Sequence, residues 1–222
     1  MLSIMVLHFN NVKLTQACLD SLKTQEIPIP FEVMVVDNGS EVRFPDAHRL
    51  RMNVGNIGGQ NECFKEAVYD WVLFISNDVT LNKDCVINLW KYRNLPRASQ
   101  IQPVSDNWGM DYRWPGYGEN RKSYVSHKTP VTPSIIYLMN KQVWKMAGRF
   151  DETLPGAYED VDMGLKLKEL GFQNYVIQDA TANHVGNATL RYSKKDKWRF
   201  REARKMVIEK HYGGLDKLSR LL

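Results

Sequence analysis

Apolar positions fall into two rhythms along this chain, and their alternation predicts the architecture. Ser3 to Phe9 is an almost unbroken apolar run, as expected of a strand buried on both faces of a sheet. From Lys13 to Thr24 the spacing becomes helical, with Leu14, Cys18, Leu19 and Leu22 on one face and Pro28 and Pro30 beyond the end. Glu32 to Val36 predicts a second strand, running into Asp37-Asn38-Gly39-Ser40, a set of residues suited to a tight turn. The Gly-rich stretch from Asn53 to Asn61 leads into a helix that reaches about Tyr69. Trp71 to Ser76 is a third strand, ending on Asn77-Asp78, and a helix follows from Lys83 to Tyr92.

Between Ser105 and Pro130 the pattern dissolves. Trp108, Tyr112, Trp114, Tyr117 and Tyr124 stand there among glycines, prolines and charges, which predicts a long functional loop rather than a disordered one. Order returns with a strand from Ser134 to Met139, a short helix from Lys141 to Ala147 and a helix from Glu159 to Leu170 closed by Gly171. Tyr175 to Ile177 is a further strand, and a basic helix from Lys194 to Tyr212 ends on Gly213-Gly214. The strand–helix–strand rhythm predicts an α/β fold: a mostly parallel, Rossmann-like sheet with helices on both faces and a C-terminal helix.

Composition narrows the class. A chain of 222 residues, 43% hydrophobic and 25% charged, suits one domain with a real core and excludes a disordered polymer. Its 3 cysteines include no CxxC pair, and Cys18 and Cys63 read as buried thiols. That usage, with an opening strand that lacks a basic leader, predicts a cytoplasmic protein in a reducing compartment. No apolar run is long enough to span a bilayer. The formal charge of +5 favours an anionic ligand or surface.

Candidate chemistry lies at strand ends, where open α/β sheets bind ligands. A dinucleotide fold needs GxGxxG directly after the first strand. Here His8-Phe9-Asn10-Asn11 stands there and the glycines come later, at Gly55, Gly58 and Gly59, so a nicotinamide cofactor is excluded by placement. Asp37 either accepts a hydrogen bond from a nucleobase imide or closes a turn. The Gly-rich segment either admits a phosphate to a helix N-terminus or simply starts a helix. Asp78 is either a helix cap or, with His184, part of a metal site that the two residues alone do not define. Glu159-Asp160-Val161-Asp162 crowds three carboxylates into a helix start. They either complement the helix dipole or leave one carboxylate poised to take a proton.

Taken in order, these elements resemble a known family. Ile4 to Asn10, Val35 to Ser40, Asn53 to Asn61 and Ser76 to Val79 are similar to the corresponding motifs of the family 2 inverting glycosyltransferases of GT-A fold. The rhamnosyltransferase-like branch is the nearest likeness. Ala147 to Glu152, Tyr158 to Asp162 and His184-Val185-Gly186 follow in the family's order, so the resemblance covers about residues 3 to 190. It implies a GT-A domain over residues 1–190, with 191–222 as a basic helical extension of the same domain.

The resemblance also implies roles. Asp37 would contact the nucleobase, with His8 and Asn10 lining that pocket. Asn53, Gly55, Asn61 and Asn77 would border the rest of the donor. Asp78 and His184 would bind Mn2+ (or Mg2+) bridging the diphosphate. Asp160, beside Glu159, would be the general base, and Asp151 would organise the acceptor side or cap its turn. Trp108 and Trp114 offer stacking faces for the acceptor. The chain departs from the family where Ser76 and Asn77 stand in place of its usual residues before the metal-binding aspartate, which implies weak metal affinity without donor.

The activity so implied moves a hexose from a UDP- or dTDP-linked donor, with inversion, to a hydroxyl of a surface or lipid-linked glycan. A modified DNA base is an alternative acceptor. A non-catalytic nucleotide-sugar-binding module is the alternative of another class, while a nucleotidyltransferase needs a basic Gly-rich loop that Asn10-Asn11-Val12 does not supply. The basic run through Lys194, Lys195, Lys197, Arg199, Arg201, Arg204 and Lys205 admits a peripheral contact with an anionic surface, such as the inner face of a membrane. The alternative is a solvated face, with Trp198 and Phe200 docked on the domain.

Overall fold

The computed structural model of the chain describes residues 1–105, 126–129, 132–185 and 194–214. The first strand, β1 (Leu2–His8), is followed by α1 (Val12–Lys23), whose N-terminus is capped by the Asn11 side chain on the Leu14 amide. Next come β2 (Phe31–Asp37), β3 (His48–Arg49), α2 (Gly55–Glu66), β4 (Trp71–Ser76), β5 (Val79–Leu81) and α3 (Cys85–Lys91). The second half holds β6 (Ala98–Ser105), β7 (Ser126–Thr129), β8 (Ile136–Asn140), α4 (Lys141–Met146), α5 (Glu159–Glu169), β9 (Gln173–His184) and α6 (Lys194–Tyr212).

The described strands form one mixed sheet in the order β3-β2-β1-β4-β8-β6-β9-β5, with β7 paired to β9. The N-terminal half, β3-β2-β1-β4, is parallel throughout. Antiparallel pairs enter in the second half, where β4 meets β8 and β5 meets β9. The α/β sheet expected from the sequence is therefore present, parallel through its N-terminal half and mixed beyond it.

Strand β1 has every side chain buried because it serves two cores at once. Ile4 and Val6 pack with Cys18 and Leu22 of α1 and Val86 and Leu89 of α3. Met5 and Leu7 point the other way, to Ile57 and Phe64 of α2, Val161 of α5 and Val207 of α6. Helices thus cover both faces. Cys18, Cys63 and Cys85 are all buried and unpaired, and burial pushes the Cys18 and Cys85 thiols up to about 12.

The sequence pattern missed the short β3 and β5 and the 8-residue β6, placed the residues of β7 inside its long loop, and assigned β9 only Tyr175 to Ile177 where the strand has 12 residues. The Gly-rich segment does not merely lead into α2; most of it is α2. Gly59 explains why. A Cβ there would lie 2.8 Å from both Leu7 methyls, so the missing side chain lets this helix sit directly on β1. The C-terminus of α5 behaves as predicted. Gly171 takes φ +78°, its amide bonds the Lys168 carbonyl, and the Phe172 amide bonds the Leu167 carbonyl.

Candidate active site

The ends of β1, β2 and β4 lie side by side, since His8 is in register with Asp37 and Leu7 with Ser76. His8 is buried at this edge. Its Nδ1 lies 2.5 Å from Thr15 Oγ1, and the Asn77 amide donates to the same hydroxyl at 3.0 Å. Thr15 thereby ties the start of α1 to two strand ends. Burial pulls the His8 imidazole below its ordinary value, against the opposing pull of the Asp37 charge.

Asp37 is fully buried and closes the turn that follows it. Its Oδ1 accepts from the Ser40 amide, and its Oδ2 accepts from the Phe44 amide and from Arg49 Nη1 at 2.8 Å. Burial pushes the carboxyl up, but these hydrogen bonds and the Arg49 charge prevail and hold it below the usual range. Asn10 has φ +57°; its amide donates to Ser40 Oγ and its Oδ1 accepts from the Glu41 amide. Asn38 grips the start of α2 by accepting from the Val54 amide and donating to the Gly55 carbonyl. Asn53 is exposed, and its side chain accepts from the Gly55 amide.

Gly39 fixes how tightly this turn packs. It has φ +68°, and a Cβ would stand 2.4 Å from the Met52 carbonyl carbon. Gly39→Ala therefore meets both the left-handed penalty of about 1–2 kcal/mol and an overpacking cost of roughly 1–3 kcal/mol. Urea unfolding should show the loss; a stability within 0.5 kcal/mol of wild type, about the noise for a neutral surface change, would contradict it.

Asp78 and His184 meet although they lie far apart in the sequence. Val79 pairs with His184 across β5 and β9, and His184 Nε2 stands 3.2 Å from Asp78 Oδ2. Both side chains are only slightly exposed, at 11% and 12%. Among the described residues no third His, Cys, Asp or Glu joins them.

The three acids at the start of α5 have different fates. Glu159 Oε1 accepts from the Asn56 amide at 2.8 Å, and Asp160 Oδ1 accepts from the Val161 amide. Burial raises the Glu159 carboxyl, partly offset by its own amide and by Asn56 and Gln60. Burial and then the Glu159 charge raise the Asp160 carboxyl well above its ordinary value. Asp162, also buried, is held by Lys166, Lys210 and His211, which overcome the effect of burial and keep its carboxyl far below the usual range.

Asn61, expected at the donor, is used up inside the protein. Its amide donates to the Phe150 carbonyl and Glu152 Oε1, and its oxygen accepts from the Phe150 amide and Trp144 Nε1. All its capacity is spent, so it positions the Phe150–Glu152 segment instead. Asp151 caps its turn by accepting from the Thr153 amide and hydroxyl, and pairs with Lys210. Thr15, Asn38, Arg49 and Asn56 were not singled out by the sequence. Asn56 had a signal, lying within the Gly-rich motif; Arg49 had none.

Trp108, Trp114 and Gly186 lie outside the described residues, as do the side chains of Lys194 and Lys195. On α6, Phe200 docks edge-on against Tyr158 with 6.4 Å between ring centres, but Trp198 is 57% exposed, so only one of the two aromatics docks. Lys197, Arg199, Arg201, Arg204 and Lys205 are exposed. Among the described residues no helix is long and apolar enough to cross a membrane.

Comparison with known proteins bears on the fold and the family. The uncharacterized protein Rv1525 of Mycobacterium tuberculosis is 25% identical over 171 residues, which are 71% of this chain and 65% of that protein. The chain thus spans 65% of the length of the curated relatives it matches. The crystal structure of S. aureus TarS superposes with a TM-score of 0.66 at 20% identity, covering 94% of this chain and 39% of TarS. TarS 1–349 in complex with UDP gives 0.64 at 20% identity, covering 94% and 65%. GalNAc-T7 with UDP, GalNAc and Mn2+ gives 0.65 at 9% identity, covering 83% and 43%. At these identities the superpositions establish a GT-A-like fold. The sequence profile of glycosyl transferase family 2 matches residues 3–146, and the chain belongs to that family.

Proposed function

We propose that this protein is a divalent-metal-dependent, inverting glycosyltransferase that moves a hexose from a UDP- or dTDP-linked donor to an acceptor hydroxyl. The observation that carries the reading is the meeting of Asp78 and His184, separated by 106 positions, at one edge of the sheet. Two cis ligands of a six-coordinate ion, each about 2.1 Å from it, stand about 3.0 Å apart, so this pair fits a divalent cation. Among the described residues no third protein ligand joins the pair, which fits a cation completed by diphosphate and water. When bound, the cation would neutralise charge on the departing nucleoside diphosphate. GalNAc-T7 with Mn2+ and TarS with UDP share the fold and support the same choice of metal and nucleotide.

The remaining chemistry falls to side chains. His8, Asn10 and Asp37 shape the nucleobase end, and Asn53, Gly55 and Asn77 border the phosphates and sugar. Asp160 takes the proton of the acceptor hydroxyl as the new bond to the anomeric carbon forms. The bond from that carbon to the phosphate oxygen breaks, and the diphosphate leaves with the electron pair. Burial, and then the like charge of Glu159, keep Asp160 basic. No general acid is required, because the leaving group is already a stable anion.

A surface or lipid-linked glycan is the acceptor we favour, with Trp108, Trp114 and Asp151 as its proposed contacts, in a cytoplasmic protein with residues 1–190 as its catalytic domain. The exposed cations of α6 support a second reading in which the acceptor is a modified DNA base, since a polyanion would lean on them and a neutral glycan would not.

The donor is tested by thermal shift with nucleotide sugars in Mn2+. A ligand at 100 times its Kd adds about 2.7 kcal/mol to stability. UDP or dTDP compounds should raise Tm by several degrees in Mn2+ and much less in EDTA. If no nucleotide or nucleotide sugar moves Tm, the reading fails, as it also does for a module that binds but shows no transfer.

A further inference from the structure

Asp160 and Asp162 are two positions apart at the start of α5, so about 200° of helical rotation sends their side chains to opposite sides. Asp162 turns to α6. Its Oδ1 lies 2.8 Å from both Lys210 Nζ and His211 Nε2, while Lys166 holds Oδ2 at 2.8 Å. The same two residues of α6 reach further. Lys210 pairs with Asp151 at 2.7 Å, and His211 Nδ1 pairs with Glu169 at 2.7 Å.

The C-terminal helix therefore grips the carboxylate-bearing segment before α5, in its first turn and in its last. Ala203, Val207 and Ile208 of α6 are buried, and Phe200 covers Tyr158, the residue just before Glu159. Asp162 and the His211 side chain are almost sealed from solvent, at 0% and 3% exposure. Ion pairs in such a setting are costly to break, because the partner left behind is a buried charge. None of these groups is needed for proton transfer itself, yet they hold the helix that carries it.

We infer that Lys210 and His211 are positioning residues for the Glu159–Asp160 pair, acting through Asp162 to fix the first turn of α5. The inference rests on the proposed role of that pair as the base. The groups around the pair are each other, the Asn56 and Gln60 amides of α2, the Tyr137 phenol of β8, and Tyr158 with Arg204 of α6 beside it. Burial is the largest influence on both carboxyls. Loosening the turn admits water, and their titration must then move down.

The test is a carboxyl carbon NMR titration of the full chain, with Asp160→Asn assigning the signal. In Lys210→Met and in His211→Gln the midpoint of the pair should fall toward the ordinary carboxylate range near about 4. Lys210→Arg, which keeps the ion pairs, should retain the wild-type midpoint. A helix that merely adds stability would lower Tm in these variants without moving the titration. If Lys210→Met does not fold, His211→Gln still leaves Lys166 and Lys210 on Asp162 and carries the test. An unmoved midpoint in the folded variants overturns the inference. Mn2+-dependent UDP binding by the wild-type protein is measured separately. Its absence counts against the glycosyltransferase reading, while the titration still judges the clamp.

Discussion

Asp160→Asn is expected to cut turnover by about two to four orders of magnitude while leaving UDP affinity in Mn2+ unchanged. The exchange keeps shape and hydrogen bonding but removes the site that receives the acceptor proton. Burial and the neighbouring Glu159 raise the Asp160 carboxyl well above its ordinary value, and only its ionised form can act as a base. Wild-type kcat should therefore fall as pH drops through that raised value. The folded carboxyl holds its proton more tightly than the unfolded one, near about 3.9, so the pair costs stability as pH rises from there through the folded value. Asp160→Asn lacks that cost and should melt higher than wild type at neutral pH, with the gap closing in acid. Steady-state kinetics and melting curves between acid and neutral pH check both halves. If Glu159→Gln loses more turnover than Asp160→Asn, the base is Glu159.

This split of one acidic cluster into a basic pair and a neutralised third member was only half visible in the sequence. Lys166, four residues after Asp162, could be seen as its helical partner. Lys210 and His211 could not, because nothing in a strand–helix pattern says that the C-terminal helix returns to α5. Asp37 has the same history. Its turn was legible in Asp37-Asn38-Gly39-Ser40, but the salt bridge from Arg49, in a two-residue strand, was not. Asn61 was assigned to a ligand on its place in a motif, whereas packing spends its amide on Phe150, Glu152 and Trp144.

The fold was legible where buried strands are also apolar; β6, buried but built largely from Ser99, Gln100, Gln102 and Ser105, was not. Leu2–His8 and Trp71–Ser76 announce themselves because each residue meets a core, and continuous apolar runs leave little choice. Val79–Leu81 is too short to show a period. The second half of β9 alternates Asp179, Thr181 and Asn183 with buried Ala180 and Ala182, whose small side chains carry too little apolar signal to mark a strand. The glycines of α2 point the other way on propensity, yet Gly59 is helical because only a residue without Cβ fits against Leu7. Close approach overrides intrinsic preference there.

Chelation should remove activity altogether, and loss of either member of the Asp78–His184 pair should lower turnover by about a hundredfold or more. The geometry gives the reason. Asp78 is anchored through its backbone, with its carbonyl accepting from the Val185 amide, and His184 is held in register opposite Val79. Neither side chain has much freedom to leave, so a cation seated there faces a fixed pair of donors. One carboxylate and one imidazole suit Mn2+ at least as well as Mg2+, which prefers an all-oxygen shell. With only these two protein donors among the described residues, the cation should bind weakly until a diphosphate adds its oxygens. Calorimetry should accordingly find feeble Mn2+ binding to the protein alone and much tighter binding with UDP present. Asp78→Asn and His184→Ala should erase that coupling, leaving UDP affinity the same with and without metal. Full turnover in excess EDTA, or an intact Mn2+ effect on UDP binding in both variants, would remove this pair from the mechanism.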